Sequence, residues 1–101
     1  MPALHIREAA VGGDRVLQPV GDLDMATAAD LDARIAAATR DHPDTVLIVD
    51  LAGVRFMDSS GLRVLLRAAQ HCDGNLRLRP GGPAVQRVVE VSGAEPLLPF
   101  E

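Results

Sequence analysis

An apolar segment at residues 45–51, Thr-Val-Leu-Ile-Val-Asp-Leu, constrains the fold of this chain more than any other part of it. The segment is short for a helix and rich in β-branched residues, which favour extended backbone. Apolar side chains that point to both faces of a strand are typical of a central, parallel strand. The segment therefore predicts a buried strand. Its longest strictly apolar part, Val46 to Val49, is far too short to span a membrane.

The residues before this strand predict a β-hairpin. Leu4–Arg7 alternates apolar and polar side chains, and Arg15–Val20 follows a turn at Gly12-Gly13-Asp14. Pro19 lacks an amide hydrogen, so it predicts an edge or a bulge in the second strand. We expect Gly21-Asp22-Leu23-Asp24 to end that strand.

Three segments with helical spacing of apolar residues predict helices, and a short alternating strand at Leu76–Arg79 lies between the last two. The first helix runs from about Met25 to Arg40 with Asp24 as its N-cap. The residues from Ala52 to Met57 are interpreted as the connection into the second helix. The other predicted features are a second helix from near Ser59, a third around Val85–Val89 that ends at Gly93, and a last short strand at Leu97-Leu98. The order β-β-α-β-α-β-α-(β) predicts an α/β domain with a mixed sheet.

Composition narrows the possible functions. Hydrophobic residues make up 48% of the chain, the net charge is −4, and only two side chains are aromatic. Two aromatic side chains are too few to stack on bases, and the chain has no strongly basic region. The sequence therefore predicts no direct binding of nucleic acid. The basic residues are all arginine, which excludes chemistry that needs a lysine amine. A single cysteine, Cys72, excludes an internal disulfide and suits the reducing cytoplasm.

A polar tetrapeptide, Asp58-Ser59-Ser60-Gly61, separates the central strand from the second helix. Asp or Ser at this position is an ordinary N-cap, so Asp58 or Ser59 is expected to cap the helix. The start of a helix also tolerates negative charge, because its amide groups and its dipole are positive there. The start of the helix would therefore accommodate a negative charge, alongside capping.

Other chemistries fit the residues poorly. Asp22, Asp24 and Asp58 suggest a metal site, but solvated caps explain them better. The serine-hydrolase elbow needs a glycine two residues before the serine, and Met57 stands there instead. Asp50 ends a buried strand, as the phosphorylated aspartate of a response-regulator receiver does, but the acidic pair and the lysine of a receiver are missing. The sequence predicts no catalytic residue, no metal site and no cofactor.

Several segments resemble the STAS domain of anti-sigma factor antagonists, from about Leu17 to Phe100. The resemblance is carried by Gly21-Asp22-Leu23-Asp24, Thr27-Ala28, Val49-Asp50-Leu51, Phe56-Met57-Asp58-Ser59-Ser60-Gly61-Leu62, and the stretches Val85–Gly93 and Leu97–Pro99. The family commonly has glutamate where this chain has Asp22.

The resemblance implies a single STAS domain over residues 1–101, with a mixed sheet of four to five strands and helices mainly on one face. It also implies a cytoplasmic bacterial signalling protein that switches partners, neither an enzyme nor inserted into a membrane. Its unphosphorylated form would bind an anti-sigma factor, itself a serine kinase of the GHKL ATPase type, and so release the sigma factor. The kinase would phosphorylate Ser59, and a PP2C-type phosphatase would reverse this.

The same resemblance implies which side chains meet the partner: Asp24, Thr27, Asp58, Ser60, Gly61 and Arg63. Phe56 and Met57 are expected to pack inside the domain. An alternative keeps the fold and changes the role, because STAS domains also serve as non-catalytic subunits of lipid-transport ABC systems or of other signalling assemblies. The intact Asp-Ser-Ser triplet favours the kinase substrate.

Overall fold

A computed structural model of the chain describes residues 4–72 and 74–101. Within them, five strands form one mixed sheet, and three α-helices pack their buried residues into one core cluster with it. This arrangement confirms the predicted α/β class and mixed sheet. The strands are β1 (Leu4–Val11), β2 (Asp14–Leu23), β3 (Leu47–Asp50), β4 (Val54–Met57) and β5 (Leu76–Arg79), and the helices are α1 (Ala28–Asp41), α2 (Ser59–His71) and α3 (Pro83–Ser92).

The long strand β2 organises the sheet. It pairs with β1 as the predicted antiparallel hairpin along one edge. Its other edge pairs in parallel first with β3 and then, nearer its end, with β4. Strand β5 adds to the far side of β3, also in parallel. The predicted central parallel strand is confirmed, since Leu47, Ile48 and Val49 of β3 are all buried.

Strand β2 is longer than predicted. Gly21-Asp22-Leu23 continue the strand, because β4 pairs with them. The prediction of a connection at Ala52–Met57 is wrong for the same reason: residues 51–53 make one 3₁₀ turn and residues 54–57 form β4. An edge or a bulge was predicted at Pro19; the register shift in the β2–β4 pairing lies two residues later, between Gly21 and Asp22. Pro19 lies between the stretches that pair with β3 and β4, and on the other edge of β2 it faces Ile6 of β1.

The helix boundaries match the prediction with one difference. Helix α1 begins at Ala28, three residues later than expected, because the segment from Asp24 to Thr27 forms a separate turn. Helix α3 begins with Pro83 and ends at Ser92, and the positive φ of 76° at Gly93 provides the expected left-handed cap. The predicted strand at Leu97-Leu98 is wrong: residues 95–97 form a 3₁₀ turn, and the tail joins β5 through a single bridge from Phe100 to Leu78.

The core beneath the helices is aliphatic. Leu17, Leu23, Leu65 and Met57 are fully buried, and each such side chain stabilises the fold by about 1.5–3 kcal/mol. Met57 packs as predicted, but Phe56 does not: half of its surface is exposed, so its predicted packing role is wrong. No helix in the described part of the chain is long and apolar enough to cross a bilayer.

Glu8 ties the edge strand to the rest of the domain, and its titration is a testable consequence. Hydrogen bonds from Arg15 of β2 and Arg34 of α1 hold the pKa of the Glu8 carboxyl below its usual range. The stability this gives is present above the unfolded pKa of about 4.3 and is lost as pH falls through the folded pKa. Because Glu8 is partly exposed, we expect at most about 1 kcal/mol.

Proton titration followed by NMR is expected to place the Glu8 pKa below that of an unfolded glutamate. The Glu8→Gln variant should lose less unfolding free energy than the parent between about pH 5 and pH 3. A Glu8 pKa at or above the unfolded value would contradict this.

Candidate functional site

Asp58 is the N-cap of helix α2. Its Oδ1 accepts hydrogen bonds from the amides of Ser60 at 2.8 Å and Gly61 at 3.4 Å. Of the two predicted caps, the structure therefore selects Asp58. Ser59 is the first residue of the helix, its side chain is exposed, and its hydroxyl makes no hydrogen bond within the described residues. The hydroxyl is thus available to a reagent or a partner.

The end of strand β2 lies directly beside this helix start. The Asp58 amide donates to the Leu23 carbonyl at 3.2 Å, and Leu23 pairs with Met57 in the sheet. These contacts place the segment 21–24 next to the segment 58–61, although the two are far apart in sequence. The two polar motifs that the resemblance selected therefore form one surface.

The turn from Asp24 to Thr27 is fixed by its own side chains. Asp24 Oδ1 accepts from the amides of Ala26 at 3.0 Å and Thr27 at 3.2 Å. Thr27 Oγ1 donates to the Asp22 carbonyl at 2.8 Å and accepts from the Asp24 amide at 3.0 Å. Thr27 is only 7% exposed, so its hydroxyl supports this turn from within.

Gly61 lets helix α2 approach the sheet closely. A Cβ at this position would lie 2.6 Å from Leu23 Cγ and 2.8 Å from Met57 Cγ. Both neighbouring side chains are fully buried and have little room to move. Gly61 therefore acts here through packing, and it sets the distance between Ser59 and the end of β2.

The surface around Ser59 combines charged and apolar side chains. Arg55 pairs with Asp22 at 3.3 Å, and Arg63 is exposed on α2 one turn after Ser59. Met25 is 82% exposed and Phe56 is 50% exposed. The sequence interpretation missed both apolar side chains. Had β4 been recognised as a strand, the buried neighbour Met57 would have indicated that Phe56 points outward.

The aspartates that suggested a metal site or a receiver-type phosphorylation site make local hydrogen bonds instead. Asp58 caps helix α2, which was one of the two predicted caps. The prediction of Asp24 as the N-cap of α1 is wrong: Thr27 holds that position, and Asp24 accepts the Ala26 amide in the turn before it. Asp50 accepts from the Ala52 amide at 3.0 Å and lies 3.7 Å from Arg79 Nη1. In residues 4–72 and 74–101, no group of three or more histidine, cysteine or acidic side chains is placed to hold a metal ion.

Comparisons with known proteins identify the family that this chain resembles. A sequence model described as "Mlab, STAS domain" matches residues 6–99. The anti-sigma-F factor antagonist RsfB of Mycobacterium tuberculosis is 38% identical over 58 residues, which are 57% of this chain and 47% of that protein. The match thus spans about half the length of this curated relative.

Solved structures agree on the fold. An anti-sigma factor antagonist from Mycobacterium paratuberculosis superposes with a TM-score of 0.86 at 27% identity, covering 96% of this chain and 84% of that one. The anti-sigma factor antagonist SpoIIAA in its unphosphorylated form superposes with a TM-score of 0.76 over 96% of this chain and 88% of its own. At 24% identity, SpoIIAA supports the fold alone. Because the family model covers residues 6–99, the chain belongs to the STAS domain family, as its resemblance predicted.

Proposed function

We propose that this chain is an anti-sigma factor antagonist whose partner binding is switched by phosphorylation of Ser59. The observation that carries the proposal is the exposed Ser59 hydroxyl, which the structure leaves without a hydrogen-bond partner among the described residues while Asp58 caps the helix. The names of RsfB and of the mycobacterial structural neighbour support the same function. The chain itself supplies no catalytic group in this scheme.

The proposed partner is an anti-sigma factor that is also a serine kinase of the GHKL type. Binding of the unphosphorylated chain displaces the sigma factor. In the phosphorylation step, Ser59 Oγ bonds to the γ-phosphorus of ATP, ADP leaves, and the hydroxyl proton passes to a base of the kinase. A PP2C-type phosphatase then hydrolyses the ester with water, which restores the serine and releases phosphate.

Charge explains how one phosphate would change partners. The phosphate adds about −1.5 to −2 charge beside Asp58. Asp58 already accepts from the Ser60 and Gly61 amides, so the start of the helix has little left to offer the phosphate. The added charge therefore meets the partner. An unpaired charge buried in an interface costs several kcal/mol, and about 1.4 kcal/mol changes affinity tenfold.

The predicted partner-binding residues divide by exposure. Arg63 is exposed, and Asp24, Asp58 and Ser60 are half-buried, so their side chains are proposed to touch the kinase. Thr27 and Gly61 are buried, and we assign them to the support of the turn and of the helix approach. We add Met25 and Phe56 as apolar contacts at the same surface, because large exposed apolar side chains often anchor interfaces.

Incubation with candidate GHKL kinases and ATP, followed by mass spectrometry, tests the proposal. We expect one phosphate, on Ser59. Ser59→Ala should abolish it, while the matched control Ser60→Ala should keep it. A phosphate on Ser60, or incorporation into the Ser59→Ala variant, would overturn the assignment.

A second candidate function rests on the description "Mlab" in the matching family model. It is the non-catalytic STAS subunit of a lipid-transport ABC system, which the sequence resemblance also implied. Affinity capture with the tagged chain separates the two functions. Recovery of a GHKL kinase supports the antagonist, and recovery of an ABC ATPase supports the transport subunit.

A further inference from the structure

A phosphate on Ser59 is stabilised further by a positive partner, because most of the amides at the helix start are already used. Asp58 Oδ1 already accepts from the Ser60 amide at 2.8 Å and the Gly61 amide at 3.4 Å. The Leu62 amide is used by the Asp58 carbonyl at 3.1 Å. Side chains are therefore the main remaining source of positive charge for a phosphate at this position.

Most arginines in the described part of the chain already have acidic partners. Arg55 pairs with Asp22 at 3.3 Å, and Arg67 pairs with Asp32 at 3.2 Å. The other arginines with ion pairs are Arg15, Arg34, Arg40 and Arg79. Arg63 has no ion pair or side-chain hydrogen bond to any residue from 4–72 or 74–101. Its side chain is exposed, so its guanidinium is available.

Arg63 also stands at the right place to reach the phosphate. It follows Ser59 by four residues within helix α2, and side chains with this spacing are neighbours on one helix face. An anion that lies N-terminal to its cation is the more favourable order for such a pair. Arginine also binds phosphate through two parallel hydrogen bonds.

We propose that Arg63 clamps the phosphate of phosphorylated Ser59 within the same helix. This inference rests on the proposed function, since it concerns the phosphorylated form. In the unphosphorylated form Arg63 is free to meet an acidic group of the kinase. Phosphorylation then acts twice in the same direction, because it adds negative charge and withdraws a positive side chain from the interface.

Acidic side chains near Ser59 repel the phosphate and oppose its interaction with Arg63. Asp58 adjoins Ser59 directly, and Asp22 and Asp24 lie at the neighbouring end of β2. These carboxylates raise the second pKa of the phosphate, whereas Arg63 lowers it. Arg55 is already held by Asp22, so its effect on the phosphate is smaller. The pKa of the phosphate therefore reports whether Arg63 binds it.

The test uses the full chain with phosphoserine placed at position 59 during translation, so no kinase is needed. Phosphorus NMR titration gives the second pKa of the phosphate in the parent and in three variants. We expect Arg63→Gln to raise this pKa by about 0.2–0.4 unit, and Arg63→Lys to restore part of the difference. The matched control Arg67→Gln, one turn further along, should leave the pKa unchanged.

Equal pKa values in the parent and the Arg63→Gln variant would overturn the clamp, as would an equal rise in Arg67→Gln. Thermal unfolding of each phosphorylated variant, followed by circular dichroism, verifies that it is folded at the NMR temperature. The outcome of the kinase experiment is independent of the outcome of this titration. If no kinase modifies Ser59 while Arg63→Gln still shifts the pKa, the clamp stands and the proposed function does not.

Discussion

Ser59→Asp is expected to weaken binding to the anti-sigma factor kinase by at least about 100-fold, which is about 2.7 kcal/mol. The substitution places a second carboxylate beside Asp58 at a surface that the kinase would cover, and an unpaired buried charge costs several kcal/mol. The fold itself should not change. Ser59 is exposed, its hydroxyl has no partner among the described residues, and an acid suits the first turn of a helix.

Isothermal titration calorimetry with the purified kinase measures the affinity, and thermal unfolding of each variant monitors the fold. Ser59→Asn is the matched control, because it has nearly the same shape as the aspartate without its charge. We expect the asparagine variant to lose no more than about tenfold in affinity. Equal losses in both variants would show that shape, not charge, operates the switch. Unchanged binding of Ser59→Asp would place the interface elsewhere.

The parts of the fold that were predicted correctly rest on local patterns. The apolar segment before Asp50 predicted the central strand, and the leucine spacing after Ser59 predicted helix α2. Asp58 predicted a helix start because its side chain can accept amide hydrogen bonds, and Gly93 predicted a helix end because glycine adopts positive φ. The structure confirms both predictions. Such signals lie within a few residues of the element that they define, so one sequence is enough to find them.

The parts that were missed depend on contacts between distant segments. Strand β4 exists because the end of β2 offers it an edge, and residues 54–57 alone lack a regular alternation of buried and exposed side chains. Asp24 was assigned to the start of α1, but the hydroxyl of Thr27 completes a separate turn there. Leu97 and Leu98 are apolar enough for a strand, yet the tail pairs with β5 only after them, in an isolated bridge between Phe100 and Leu78.

The candidate site also has features that the sequence predicted and features that depend on contacts between distant segments. The family resemblance selected Asp58 and Ser59, and the hydrogen bonds then showed which of them caps the helix. No pattern in the sequence indicated that Phe56 is exposed, because that follows from the pairing of β4. The availability of Arg63 likewise depends on which acids the other arginines reach in three dimensions.

Leu23→Ala is expected to lower the free energy of unfolding by about 2–5 kcal/mol, the usual cost of truncating a fully buried leucine. Gly61→Ala alone should lose up to about 2 kcal/mol, since overpacking costs about 1–3 kcal/mol and the higher helix propensity of alanine offsets about 1 kcal/mol of it. The two changes are coupled, because the nearest atom to a Cβ at position 61 is Leu23 Cγ at 2.6 Å. The variant with both changes should therefore lose about 1–2 kcal/mol less than the sum of the single losses.

Urea unfolding of the parent, the single variants and the double variant measures this coupling. Gly82→Ala is the matched control, because a Cβ at Gly82 meets nothing within 4 Å. Its effect should simply add to that of Leu23→Ala. Additive losses for Leu23 and Gly61 would contradict the close approach of helix α2 to strand β2. Coupling of the expected sign would show that the space beneath Gly61 is shared with Leu23, whose carbonyl accepts from the Asp58 amide. The packing that stabilises the domain would then also fix the position of the Ser59 hydroxyl.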